Sequence, residues 1–354
     1  MTAPDRRFAA NTLRCFIAEA LVTQDLPPDD AATVAKLMVE ADLLGGDGHG
    51  IFRLPRYLAR LRAGGFNPRP QIRVERRQGA MALVDGDNGM GHLVMKRCAE
   101  LATEIAGTQG IGWVGAHHSN HAGAAGVYAM MPLAADMIGL YVAVGNANHM
   151  APWGGTELLL STNPIAVAVP GATQPILLDM ATTTAAYGKV KLAAQRGETM
   201  PEGWMIDALG QALTDPAKAA GGSLLPIGGP KGFGLALIFG LLAGTLNGAA
   251  FGRDVIDFNA DDSSPTNTGQ FILALDIKAF GDVATFKTRV DSIRAEMKSS
   301  PLRPGFDGIR LPGERAFAVR QERLANGIPV GGKLLTDLDA EAQRLGIPPL
   351  TVRT

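Results

Sequence analysis

Between Lys231 and Arg253 the chain carries no charged residue. Such a stretch must leave water, either for a bilayer or for a protein interior. Its length alone would allow a membrane span. With no second apolar span to accompany it, the segment instead predicts a helix buried in a folded core. Glycine recurs at 240, 244, 248 and 252, so this helix presents a smooth ridge to which another backbone can come close. The 354 residues leave room for about two or three domains around it. Hydrophobic residues at 46% and charged residues at 19% suit a sizeable core.

Apolar periodicity predicts helices over 8–25 and 29–45, the second started by Pro27, Pro28 and Asp29. A third carries Leu54, Tyr57, Leu58 and Leu61, with Gly64 and Gly65 closing it. On its polar face Arg56 and Arg60 read as solvated. Residues 81–85 read as a strand followed by a turn over 85–89, then a helix over 90–107. Extended runs at 111–115, 138–144, 164–169, 176–179 and 271–275 are interspersed with helices at 123–135, 182–196, 231–247 and 283–298. The last of these helices shows Val283, Phe286, Val290, Ile293 and Met297 on one face. Residues 252–270, rich in Asp, Ser, Pro, Asn and Thr, read as a surface loop. Two short helices follow 314, with Thr336 capping the last. The chain is thus mixed α and β with helices at both ends, and no repeat or low-complexity linker divides it.

The formal charge is -1, from 33 basic and 34 acidic residues without long runs, which argues against a nucleic-acid partner. Two cysteines, Cys15 and Cys98, cannot form a disulfide framework and fit a reducing cytoplasm. The N-terminus leads into mixed sequence rather than an apolar signal core.

Chemistry gathers first in Gly45–Tyr57. His49 stands between Gly48 and Gly50, where the backbone can approach another group without a Cβ in the way. Histidine exchanges a proton near neutrality, and the Arg53 fork suits a carboxylate. This is the pattern of a reactive corner acting on a small carboxylate. All six histidines, 49, 92, 117, 118, 121 and 149, lie in the first 150 residues. The run His117-His118-Ser119-Asn120-His121 precedes Gly123-Ala124-Ala125-Gly126. It reads either as metal ligands, though no nearby carboxylate or cysteine completes a set, or as a polar loop whose helix start binds anions. A second candidate anion site is Pro226–Gly232, where Pro230 and Lys231 open the apolar helix. Lys189 reads as a surface lysine or as an amine that orients a substrate. No Gly-x-Gly-x-x-Gly follows a predicted strand, and no P-loop pattern occurs, so a standard Rossmann unit is not supported.

Many ordered motifs together resemble the type-2 malate/L-lactate dehydrogenase family, over nearly the whole chain. They include Asp47-Gly-His-Gly-Ile-Phe-Arg-Leu-Pro-Arg-Tyr57, Ser119–Gly126, Ala151-Pro-Trp-Gly-Gly155 and Ser161-Thr-Asn-Pro164. Asp179-Met-Ala-Thr-Thr183, Gly188-Lys189, Gly229-Pro-Lys-Gly232 and Leu311-Pro-Gly-Glu-Arg315 follow. The resemblance implies an α/β fold. Its cofactor domain, 76–299, would be non-Rossmann with a largely antiparallel sheet. A helical, substrate-side and dimerisation domain would draw on both chain ends, 1–75 with 300–354. It further implies NAD or NADP as cofactor, a small carboxylate as substrate, no membrane partner, and a homodimer with the active site near its interface.

By the same resemblance His49 is the proton donor, Arg53 holds the substrate carboxylate, and Thr162 touches substrate. His118, Ser119, Asn120 and His121 form a cofactor loop, with His121 catalytic in some relatives. Asp179, Met180, Ala181, Pro230, Lys231, Pro312, Gly313, Glu314 and Arg315 are cofactor contacts. No metal is implied. Relatives usually carry serine where this chain has Gly48. Ketimine-reducing relatives carry aspartate where it has Lys189, so Gly188-Lys189 is similar to the hydroxy-acid branch. The expected reaction moves a hydride between nicotinamide and a small 2-oxo/2-hydroxy acid, with Lys189 assisting at the oxygen. Reduction of a cyclic imine is the alternative within oxidoreductases. A metal hydrolase built on His117, His118 and His121, and a non-catalytic NAD(P)-binding sensor, are alternatives of other classes.

Overall fold

The computed structural model describes residues 6–353, apart from the side chains at 191–192 and 195–196. Residues 1–5, at the head of the N-terminus read above as lacking a signal core, lie outside the described residues. The chain begins with strand β1 (Arg6–Phe8) and helices α1 (Ala10–Val22), α2 (Pro28–Leu43) and α3 (Leu54–Ala63). Strands β2 (Arg73–Gln78) and β3 (Met81–Gly89), helix α4 (Gly91–Gln109), strand β4 (Ile111–Ser119) and helix α5 (Ala125–Ala129) follow. Next come β5 (Met137–Ala143), β6 (Ile165–Val169), β7 (Ile176–Met180), α6 (Tyr187–Arg196) and the short strands β8 (Met205–Ile206), β9 (Ala212–Leu213) and β10 (Ser223–Leu224). The rest is α7 (Pro230–Ala243), β11 (Gln270–Asp276), α8 (Val283–Lys298), α9 (Glu314–Asn326), β12 (Ile328–Val330) and α10 (Gly332–Leu345).

A seven-stranded sheet runs in the order β2-β3-β4-β11-β5-β6-β7. Every neighbouring pair is antiparallel except β3 with β4. Side chains alternate across it as strand geometry demands. Val114, Ala116, Tyr141, Ala143, Ile272 and Ala274 join α4 and α5 in one buried cluster. Val142, Ile165 and Phe271 face the other way, toward Ala243 and Phe239 of α7. A separate cluster unites the two chain ends, from Phe8 through Phe66 to Ile328–Leu350. Helix α2 stands between the two larger cores, giving Leu37 and Ala41 to the first and Val34, Met38 and Val39 to the second.

Some sequence expectations hold and several change. The spacing Gly110-x-Gly112-x-x-Gly115 follows helix α4 and opens β4, so here too no such spacing follows a strand. A Cβ at Gly112 would overlap the Ala102 carbonyl, and one at Gly115 the Asn247 amide, so both glycines serve packing. The turn expected over 85–89 is absorbed into β3, because Asp87 and Asn88 take positive φ (47° and 55°) and form an irregularity inside the strand. The helix expected over 123–135 splits at Pro132, which removes a donor and clashes with the preceding turn. Residues 182–186 stay outside α6: Thr182 donates its hydroxyl to Thr162 O and Thr183 to Ala185 O, both at 2.8 Å, so local bonds compete with helix. Thr336 is inside α10 and donates to Gly332 O, while Gly331 is the cap. On α8 only Val290 is buried, and Ile293 and Met297 are exposed.

Two corrections bear on function. Helix α7, uncharged beyond Lys231, buries only the stripe Gly232, Ala236, Gly240 and Ala243, leaving Leu235, Ile238 and Leu241 exposed. No helix among the described residues is long and apolar enough to cross a membrane. Arg60, expected in solvent, is fully buried, and its guanidinium donates to the carbonyls of Phe258, Asp261 and Ser264. It also stacks 4.5 Å from the Phe258 ring centroid. Arg56 joins it, donating to Phe258 O at 2.8 Å and pairing with Asp262 at 3.1 Å. The 252–270 segment is thereby clamped onto α3, with Phe258 in the core. Replacing Arg60 with Ala should cost about 3 kcal/mol, because several charge-assisted bonds and a cation–π contact vanish together. Urea unfolding of the variant measures it.

Candidate active site

The strand register assembles the site. Gly89 pairs with Ser119, Gln270 with both Ala116 and Ala143, and Ile165 with both Val142 and Met180. One end of the sheet therefore carries the segments leading to His121, Gly145, Thr162 and Ala181. Ile227 donates its N–H to Thr182 O at 2.9 Å, which ties the start of α7, with Pro230 and Lys231, to the same end.

Against this end packs the turn after α2. His49 N–H donates to Gly46 O at 2.8 Å, and Arg53 Nε donates to Gly48 O at 2.8 Å. Arg53 has no carboxylate partner among the described residues, so its charge is available. One turn further, Tyr57 is fully buried, and its hydroxyl lies 2.6 Å from His121 Nδ1. Gly123 N–H also points at that nitrogen, at 3.3 Å. A backbone N–H can only donate, so Nδ1 is the acceptor and the His121 proton sits on Nε2. The His49 ring stacks on His121 with centroids 5.7 Å apart. Phe258 flanks His121 at 5.5 Å.

Burial first, then the Arg53 charge, holds the His49 pKa down to about 4. Burial, Arg53, His49 and His92 likewise hold His121 well below the ordinary imidazole value. Both rings are neutral at physiological pH, while Tyr57 is pushed upward by burial and keeps its proton. His92, on the first turn of α4, is 1% exposed, edge-on to Tyr57 at 5.5 Å, and lowered by burial to about 3. Neither of its ring nitrogens has a partner among the described residues, nor has His49 Nδ1.

The expected His117–His118–His121 group is not assembled. Positive φ (45°) at His118 stacks its ring on His117, with centroids 4.3 Å apart, and His121 leaves for the other cluster. The carboxylates absent from the sequence reading are present: Glu75 lies 2.8 Å from His117 Nε2 and Asp85 3.0 Å from His118 Nδ1. Asp85, His117 and His118 each bring a ligand atom within 4.8 Å of the others. The Asp85 carboxylate is already engaged, by Arg73 at 2.7 Å as well as by His118.

Ser119 and Asn120 also change meaning. Ser119 Oγ donates to Gln270 Oε1 at 2.8 Å. Asn120 Nδ2 donates to Asn88 O, Asn88 Oδ1 and Gly89 O within 2.9 Å, and its Oδ1 accepts from Thr266 Oγ1 at 2.6 Å. Both side chains are fully enclosed, so they fix the loop that holds His121.

Thr162 is partly exposed beside Gly145. Asp179 Oδ2 accepts the Gly126 N–H at 2.8 Å, with Met180 and Ala181 beyond it. Pro312 O accepts from Leu177 N at 3.2 Å, which lays Pro312–Arg315 along the free edge of β7, and Glu314 pairs with Lys298 at 2.8 Å. Lys231 and Arg315 are exposed and have no acidic partner among the described residues. Lys231 stands at a helix N-terminus behind the positive-φ Gly228 and Gly229, a setting that favours an anion. Lys189 stands on exposed α6, over the separate cluster of Val190, Met200, Met205, Leu213 and Leu224. Sequence reasoning passed over Tyr57 and His92 as core residues. Their one signal was a hydroxyl and an imidazole on otherwise apolar helix faces.

With His49 and His121 neutral, imidazole resonances recorded between pH 5.5 and 8 should show neither ring titrating and His121 protonated at Nε2. Nitrogen-15 NMR of the ring nitrogens, assigned with single-histidine variants, checks this.

Known proteins resemble this chain over nearly its whole length. The family model described as malate/L-lactate dehydrogenase matches residues 8–339. Malate dehydrogenase from Pyrococcus abyssi is 38% identical, over 98% of this chain and 97% of its own. L-sulfolactate dehydrogenase from Methanothermobacter thermautotrophicus is also 38% identical, over 94% of this chain and 95% of its own. The structure of sulfolactate dehydrogenase from Methanocaldococcus jannaschii superposes with a TM-score of 0.92 at 35% identity, covering 98% of this chain and 99% of that one. On the strength of a match that runs from β1 into α10, the chain belongs to the malate/L-lactate dehydrogenase family.

Proposed function

We propose that this protein is an NAD(P)-dependent dehydrogenase of small 2-hydroxy acids, of the malate, lactate or sulfolactate kind. The observation that carries the reading is the corner where unpaired Arg53 stands beside two neutral imidazoles, His49 and His121. Arg53 holds the substrate carboxylate through its fork. His121 presents its Nε2 proton to the substrate oxygen, with Tyr57 and Gly123 fixing the tautomer. His121 keeps that proton as a hydrogen-bond donor, while His49, stacked alongside, takes the hydroxyl proton in oxidation and, as the imidazolium so formed, returns it in reduction. By the family resemblance Thr162, at the sheet end, would contact a substrate polar group, and Lys189, exposed on α6, would assist at the oxygen. The bound nicotinamide supplies or accepts the hydride. Met180 and Ala181 at the end of β7, His118 beside the loop, Lys231 and Pro312–Arg315 would hold it. The largely antiparallel sheet is the basis for a non-Rossmann cofactor domain over 76–299, with 1–75 and 300–354 as the helical domain. Free Cys15 and Cys98 fit a cytoplasmic setting.

The exposed apolar face of α7, extended by Leu246, supports a homodimer whose interface adjoins the substrate corner. Ile238→Asp should convert a dimer into a monomer in size-exclusion chromatography with light scattering. An unchanged mass would remove this face from the assembly.

His49→Ala should lower kcat by about 10²–10⁴-fold with cofactor affinity intact. Arg53→Lys should raise KM for the 2-oxo acid by roughly tenfold or more, because a point charge replaces a fork. A panel of 2-oxo acids and cyclic imines with NADH and NADPH measures both variants and identifies substrate and cofactor. Parent-level turnover in His49→Ala would sink the acid–base assignment.

A further inference from the structure

Asp42 lies near the end of α2, 2% exposed, where a helix usually turns an apolar face inward. Its Oδ2 accepts the Ile51 N–H at 2.8 Å, a buried bond. Ile51 begins the short tight turn Ile51–Arg53, and Arg53 N–H donates to Gly50 O at 2.9 Å. The carboxyl sits against the bare Cα of Gly50, where any Cβ would overlap it. Gly50 therefore serves close approach, and what approaches is this carboxyl. From the opposite side Arg53 Nε donates to Gly48 O, so the His49 turn is braced on both flanks. The charged groups facing Asp42 are Asp47 on the same turn and Arg323 on α9. The Arg323 guanidinium is engaged by the Asp42 backbone carbonyl and the Asp47 carboxylate.

We propose that Asp42 is the positioning residue of the reactive turn: its buried carboxylate, bonded to the Ile51 N–H across Gly50, sets His49 and Arg53 in register for the reaction. The proposal rests on the assignment of those two residues as acid–base and carboxylate-binding groups. Burial raises the Asp42 pKa to about 7, against the lowering effect of the Ile51 N–H; Asp47 raises it further and Arg323 lowers it. Below that pH the carboxyl is protonated and a weaker acceptor. Above it the charged carboxylate grips the N–H, so the brace tightens as pH rises through neutrality. His49 and His121 do not change charge in that window.

The test is steady-state kinetics of the full-length parent and of Asp42→Asn, from pH 6 to 8, with the 2-oxo acid and nicotinamide that the panel shows to be turned over. Thermal unfolding and cofactor affinity are measured alongside. The parent kcat/KM should rise about tenfold through pH 7. The variant should melt like the parent and bind cofactor equally well. It should lose roughly 10–100-fold in kcat/KM at pH 8, in both kcat and KM, and show a flat profile. A flat profile in the parent overturns the proposal, even where the variant does not fold. A folded variant with parental rate and pH limb also overturns it. Failure of the underlying assignment is distinguishable, because turnover would then persist in His49→Ala and Arg53→Ala whatever Asp42→Asn does.

Discussion

The hydrogen bond from Tyr57 to His121 is where the two halves of the molecule meet chemically. Tyr57 belongs to the cluster built from both chain ends, and His121 follows the strand β4 of the large sheet. Their 2.6 Å separation is meaningful only because each side is rigid. On one side Leu54 and Leu58 anchor α3 in a close-packed core. On the other, Asn120 satisfies every polar atom of its side chain through Asn88, Gly89 and Thr266, and so freezes the loop one residue before the imidazole. A slip of about 1 Å between the halves would undo the alignment that acid–base chemistry needs.

Electrostatics follow from the same burial. Around His49 the structure gathers Arg53, His92 and His121, and desolvation keeps all three imidazoles uncharged. Repulsion from the guanidinium acts in the same direction on His49 and His121. One cation then faces the space a carboxylate would enter, and the low-dielectric walls strengthen its pull. The imidazoles remain available as neutral donors and acceptors, as His121 shows by accepting at Nδ1 and keeping its proton at Nε2.

Much of the fold was legible in the chain. The starts of α2 and α4, the closure of α3 at Gly64, and the runs that became β5, β6, β7 and β11 followed from apolar period and from glycine at left-handed positions. What failed did so for identifiable reasons. β2 is an exposed edge strand made of Arg73-Val-Glu-Arg-Arg-Gln78, which has no apolar alternation to read. Arg60 looks like any helix-surface arginine until the Phe258 segment closes over it. Helix α7 is apolar all round, so its sequence could not say which face meets the sheet and which stays outside.

The site divided along the same line. His49 and Arg53 could be paired from sequence because they share one short segment, whose spacing the local backbone nearly dictates. Asp42, Tyr57, His92 and His121 could not be grouped that way. Their contacts cross between helices and the sheet end, and a local pattern carries no information about such distances. The sequence by itself determined the family, and it singled out the candidate segment around His49 and the residue types available to it. Only the tertiary structure decided which histidine separates from its neighbours to join His49, which glycine makes way for a carboxyl, and which imidazoles lose their charge. Those outcomes depend on burial and on long-range approach, and both arise only once the sheet end and α2 have packed together.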